Sequence, residues 1–142
     1  MANFQSGYGH GDVVGVPFDF YGGATLVTGS NITMQTALLV LFPSAAITGV
    51  VINLPLNPVD GAIAEISNVG AVTSTVACTI NANTGDSLIA IGVAGSNITS
   101  IANVSLATGG TASTTVRFRY SLNGFQPASG AAVNPRTWFR VQ

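Results

Sequence analysis

The sequence predicts an all-β protein, a β-sandwich of jelly-roll or Greek-key type carrying an extended N-terminal arm. Three observations lead there. Helix formers are scarce, with no Lys and a single Glu, Glu65, whereas Val, Ile and Thr are abundant. The run Thr114 to Tyr120 alternates with period two: Val116, Phe118 and Tyr120 point one way, Thr115, Arg117 and Arg119 the other. Turn signals at Asn57-Pro58, Asp60-Gly61, Thr84-Gly85-Asp86, Gly109-Gly110 and Asn123-Gly124 separate candidate strands at intervals of about 8 to 12 residues.

Taken in chain order, residues 1–23 read as the arm and 24–142 as one domain. In the arm Phe4, Tyr8, Phe18, Phe20 and Tyr21 hang on a backbone rich in Gly7, Gly9, Gly11, Gly15, Gly22 and Gly23. Large rings on a pliable chain suit anchoring to a partner, so these five aromatics are the candidate interface residues. The alternative is a terminus whose rings tuck into the domain's own core. Thr33 to Leu41 is ambiguous, because Met34, Ala37, Leu38 and Leu41 keep helical spacing while Leu38 to Leu41 also suits a buried strand; the strand is preferred. Ile47 to Leu54 places Val50, Ile52 and Leu54 on one face before Pro55 and Pro58 end it. Further strands are expected at Gly61–Ser67, Val72–Ile80, Ser87–Val93, Ile98–Leu106 and Thr137–Val141. Gly29-Ser30-Asn31-Ile32-Thr33 recurs as Gly95-Ser96-Asn97-Ile98-Thr99, an echo that two similar halves would produce and that chance produces equally well in so biased a composition.

Asp, Glu and Arg supply only nine charges in 142 residues. A soluble monomer devotes about a quarter of its residues to charge, which keeps folded molecules apart. So weakly charged a chain is expected to be covered by other protein, which makes it an assembly component. Its net charge of −1 offers no electrostatic footprint for nucleic acid, and Arg117, Arg119, Arg136 and Arg140 come without Lys or an aromatic stacking platform. No membrane span is expected, since the apolar stretch Ala37 to Val51 is broken by Pro43 and Ser44. Met1-Ala2-Asn3-Phe4-Gln5 opens without a basic residue and a following apolar stretch, so secretion is not expected either.

Catalytic chemistry has little to draw on, and no enzyme, cofactor or metal site is expected. His10 is the only histidine, Cys78 the only cysteine and a candidate buried hydrophobe, and the carboxylates Asp12, Asp19, Asp60, Glu65 and Asp86 are scattered. Gly85-Asp86-Ser87-Leu88 spells the block that names a family of serine esterases, but no histidine follows Ser87 to take its proton. A turn entering a strand accounts for those four letters. Asn31-Ile32-Thr33, Asn97-Ile98-Thr99 and Asn103-Val104-Ser105 fit the glycosylation pattern only as products of composition.

The segment Leu54-Pro55-Leu56-Asn57-Pro58-Val59-Asp60-Gly61 through Glu65-Ile66-Ser67-Asn68, with the closing Thr137-Trp138-Phe139-Arg140-Val141, resembles β-rich modules of tailed-phage virion proteins. As a whole the chain resembles phage capsid cement or decoration proteins, and is most similar to the jelly-roll cement proteins of Bordetella podophages. The resemblance implies a structural virion protein, made in the bacterial host cytoplasm and bound on the outer capsid surface. Its partners would be the major capsid protein and itself, as a homodimer or homotrimer reinforcing capsomer contacts. Tail-fibre or receptor-binding modules share the same composition and are the alternative.

Overall fold

The computed structural model describes residues 16–70, 74–89, 98–108, 114–123 and 136–141. Ten strands run through them: β1 (Asp19–Gly22), β2 (Asn31–Thr33), β3 (Leu38–Phe42), β4 (Ile47–Asn53), β5 (Ile63–Asn68), β6 (Thr75–Asn81), β7 (Ser87–Ile89), β8 (Ser100–Ala107), β9 (Thr115–Ser121) and β10 (Thr137–Arg140). They form a six-stranded sheet in the order β1-β3-β5-β9-β10-β7 and a four-stranded sheet in the order β2-β4-β6-β8. One hydrophobic core joins side chains from both sheets. The all-β expectation therefore holds.

The wiring differs from the jelly-roll or Greek-key expectation. Those folds pair strands antiparallel, whereas five of the eight strand pairings described here are parallel. From β1 to β6 each strand lies in the opposite sheet from the one before it. The chain therefore winds as a coil, and the crossover that any parallel pair requires is supplied by a strand in the other sheet. In the first turn Asp19 pairs with Leu39 and Asn31 with Val51. In the next, which takes in a longer stretch of chain, Leu39 pairs with Ile66 and Val51 with Thr79. The antiparallel strands β8 and β9 then close the coil, against β6 and β5 respectively.

Winding stacks like upon like. Ile32, Ile52 and Ile80 lie in register and are fully buried, with Val50, Cys78 and Val104 beside them and Leu39, Ile66 and Val116 in the facing sheet. On the outer face of the four-stranded sheet, the Asn81 Nδ2 donates to Asn53 Oδ1 at 3.2 Å and the Asn53 Nδ2 to Asn31 Oδ1 at 3.0 Å. Such an amide ladder forms where neighbouring strands set the same residue type side by side, as the winding does here on each turn. The echo between the two halves of the sequence has no counterpart in this layout: β4 sits between parallel neighbours in one sheet and β9 between antiparallel neighbours in the other.

Thr33 to Leu41 is not helical. It contains the end of β2, a bend and most of β3. Within the stretch 1–23 expected as an arm, Asp19–Gly22 is instead the edge strand of the six-stranded sheet, and residues 1–15 lie outside the described residues. The Asp19 carboxylate secures it there, accepting hydrogen bonds from the backbone N–H groups of Gln35 at 2.7 Å and Thr36 at 3.0 Å.

Asn68 ties the two sheets together at the end of β5. Its side-chain amide is buried, donates to the Leu106 carbonyl at 2.8 Å and accepts from the Gly70 N–H at 2.9 Å. Gly70 is then held so tightly that a Cβ there would lie 2.7 Å from the Pro43 carbonyl oxygen, a backbone atom that cannot swing away. Gly70→Ala should cost about 1–3 kcal/mol, as overpacking does, which a urea midpoint would show; an unchanged midpoint would mean that this corner relaxes freely.

Candidate functional site

Strand parity decides what each candidate aromatic does. Phe20 pairs with Val40 and Tyr21 with Leu41. Because neighbours along a strand face opposite ways, Tyr21 turns inward and packs on the core while Phe20 turns out. Phe18 and Phe20 are 56% and 57% exposed and Phe42, beside Gly22 on the next strand, 47%. These three rings form the exposed aromatic set of the described residues, with Phe20 and Phe42 facing out on neighbouring strands and Phe18 just ahead of β1. Of the sequence candidates, Phe18 and Phe20 belong to it and Tyr21 does not; Phe4 and Tyr8 lie outside the described residues. Phe42 was missed because it directly follows Leu38 to Leu41, a run that reads as buried strand. A ring facing out at the end of that run leaves no separate mark.

The rest of that outer face mixes apolar and charged groups. Ile63, Arg119 and Phe139 form one cross-strand row and Leu38, Glu65 and Arg117 the next. Glu65 accepts from Arg117 Nε at 2.7 Å in a pair that stays partly solvated, so it adds at most about 1 kcal/mol. The opposite outer face, on the four-stranded sheet, is built from Thr33, Asn53, Thr79, Asn81, Ser105 and similar small uncharged side chains. Two strand irregularities, beside β4 and β8, leave a shallow cavity of about 280 Å³ lined by Thr48, Gly49, Ala77, Cys78, Thr79 and Asn103. It brings no acid, base or charged group together.

Arg117, Arg119 and Arg136 do not gather into a patch. Arg117 is paired with Glu65, and Arg136 lies 2.7 Å from the buried Asp86 carboxylate, while Arg119 stands on the outer face of β9. Asp86 also accepts from the Tyr120 hydroxyl at 3.3 Å, and burial first, then the Asp86 charge, pushes the Tyr120 phenol above its ordinary range. That arrangement bears on Gly85-Asp86-Ser87-Leu88: the acid is engaged by Arg136 and Tyr120, and Ser87 opens β7 in register with Thr137. His10 lies outside the described residues. Among the described residues no three His, Cys, Asp or Glu side chains gather into a possible metal site, and no helix is long and apolar enough to cross a membrane.

Cys78 lies buried between Val50 and Val104. Burial pushes its thiol up to about 12, against a smaller opposing pull from Arg140. A thiol that stays protonated and covered is a poor nucleophile, which fits its role as a small core residue. Comparison with protein-family models, with curated proteins and with solved structures finds no match, so a function has to be argued from this chain's own surface.

Proposed function

We propose that the chain is a structural virion protein, a capsid cement or decoration protein that lies on the outer shell and reinforces contacts between neighbouring capsomers. The observation that carries this reading is the exposure of the aromatic side chains Phe18, Phe20 and Phe42 on a chain with only nine charges. Large rings held in water in this way are costly to leave uncovered and suit a permanent contact. Uncharged Thr, Ser and Asn side chains on the other outer face cost less to desolvate than charged ones and can exchange hydrogen bonds with a partner, so a wide contact can form without stranded charge. Attachment to the major capsid protein is assigned to residues 1–18, with Phe4, Tyr8 and Phe18 as anchors, because β1 begins at Asp19.

The test is copurification. The chain should travel with intact shells in stoichiometric copy number and raise the temperature at which they break open. Removing residues 1–18 should weaken shell binding by about 2 kcal/mol or more, the loss expected for an aromatic anchor, while the thermal midpoint of the free chain stays put. A protein found at low copy on tails, binding cells or glycans, would be a fibre module instead.

A further inference from the structure

We infer that the open first turn of the coil, the outer edges of β1 and β2, is a docking surface for a second copy of the same chain. It extends the assembly reading by naming where the protein meets itself. Among the described residues both strands are the outermost members of their sheets, and both lie at the starting end of the coil. At the other end the outermost strands are β7 and β8, and there Leu88 of β7 bridges antiparallel to Ile98, just ahead of β8. Strand edges left open present unpaired N–H and C=O groups and template further pairing. Coiled and repeat folds need their terminal turn capped for the same reason.

Exposed apolar side chains flank that turn. Val16, Phe18, Phe20 and Val27 are four of the eleven large hydrophobics that stand exposed among the described residues, and they fall close together in the chain around the first turn. A partner there must offer two strand edges at once, about 10 Å apart as the two sheets are. The first turn of an identical molecule does so by construction. A two-fold axis normal to the sheets would set β1 antiparallel to its mate and β2 antiparallel to its mate, continuing both sheets across the contact.

Asn31 makes the surface self-complementary. It is the exposed last member of the amide ladder, and its Oδ1 already accepts from Asn53. A carboxamide carries donors as well as acceptors, so Asn31 can pair with its own symmetry mate and run the ladder through the dimer. On the six-stranded side Phe20 faces out from β1, where it would meet Phe20 of the second copy as a cross-strand aromatic pair.

Sedimentation and light scattering of the full chain without shells test this directly. The expected species has twice the mass of the 14.3 kDa chain. Asn31→Asp keeps the acceptor that Asn53 uses, removes the donors and sets two carboxylates face to face; it should raise the dimer Kd about tenfold or more. Phe20→Lys should do the same from the other sheet, and circular dichroism would confirm that both variants remain folded. A wild-type chain that stays monomeric at micromolar concentrations overturns the proposal, as does a dimer that neither substitution weakens. Since no shell is needed, a monomeric result would remove the dimer and leave shell attachment to its own assay.

Discussion

Trp138→Ala should destabilise the protein by about 3–5 kcal/mol, the range for deleting a large buried ring. Trp138 is fully buried, stacks at a tilt on Tyr120 with ring centroids 5.1 Å apart, and lies in register with Leu88 of β7. It is thus the core contact of a short strand that joins β7 to β9. Domains of this size are stable by about 5–15 kcal/mol in total, so the variant should be partly unfolded at growth temperature. Trp138→Phe should cost much less, about 1–2 kcal/mol, because the indole N–H has no hydrogen-bond partner among the described residues and none is lost with it. Urea titration of both variants by circular dichroism checks the pair. A Trp138→Ala midpoint equal to wild type would mean that β10 contributes nothing to the core.

Why β10 was readable in the sequence, and the coil was not, comes down to what periodicity records. A strand with one buried face writes that face into every second residue. Ile47 to Leu54, Gly61 to Ser67, Thr114 to Tyr120 and Thr137 to Val141 accordingly lie close to where alternation and turn residues put them. Pairing partners leave no such mark. A turn such as Asp60-Gly61 reverses the chain equally well into a hairpin or across to the opposite sheet, and here Gly61, at φ 80°, leads from the four-stranded sheet to the six-stranded one. The coil did leave a trace in the recurring Ile beside Asn, at Asn31-Ile32, Ile52-Asn53 and Ile80-Asn81, but the second interval is longer than the first and the order of the two residues changes, so no repeat stands out. Likewise the aromatics of residues 18–21 were visible, while the parity that sends Phe20 out and Tyr21 in depends on β1 being a strand, which its glycine-rich setting concealed. Asp86 and Arg136 meet from distant parts of the chain, and neither residue carries a local sign of the other.

Raising the pH from 9 towards 12 should weaken the protein progressively, and Cys78→Val should remove much of that weakening. Burial raises the Cys78 thiol from its ordinary 9.0 to about 12. Below 9 the thiol is protonated in folded and unfolded chains alike, so its contribution to stability is fully present. Between 9 and 12 the unfolded chain releases the proton while the folded chain holds it, and mass action favours the unfolded state. A difference of that size is worth about 4 kcal/mol once the folded thiol also ionises. The Tyr120 phenol, raised by burial and by Asp86, acts in the same direction, with its loss beginning above its ordinary value of 10.0. Valine is close to cysteine in volume and apolar, so Cys78→Val should leave stability at pH 7 within about 1.5 kcal/mol of wild type. Urea midpoints measured across this pH range should therefore fall less steeply in the variant, and the remaining slope should shrink again with Tyr120→Phe. Parallel curves for wild type and Cys78→Val would show that the thiol sits in contact with water, and would place the join between β4, β6 and β8 at the surface instead of in the core.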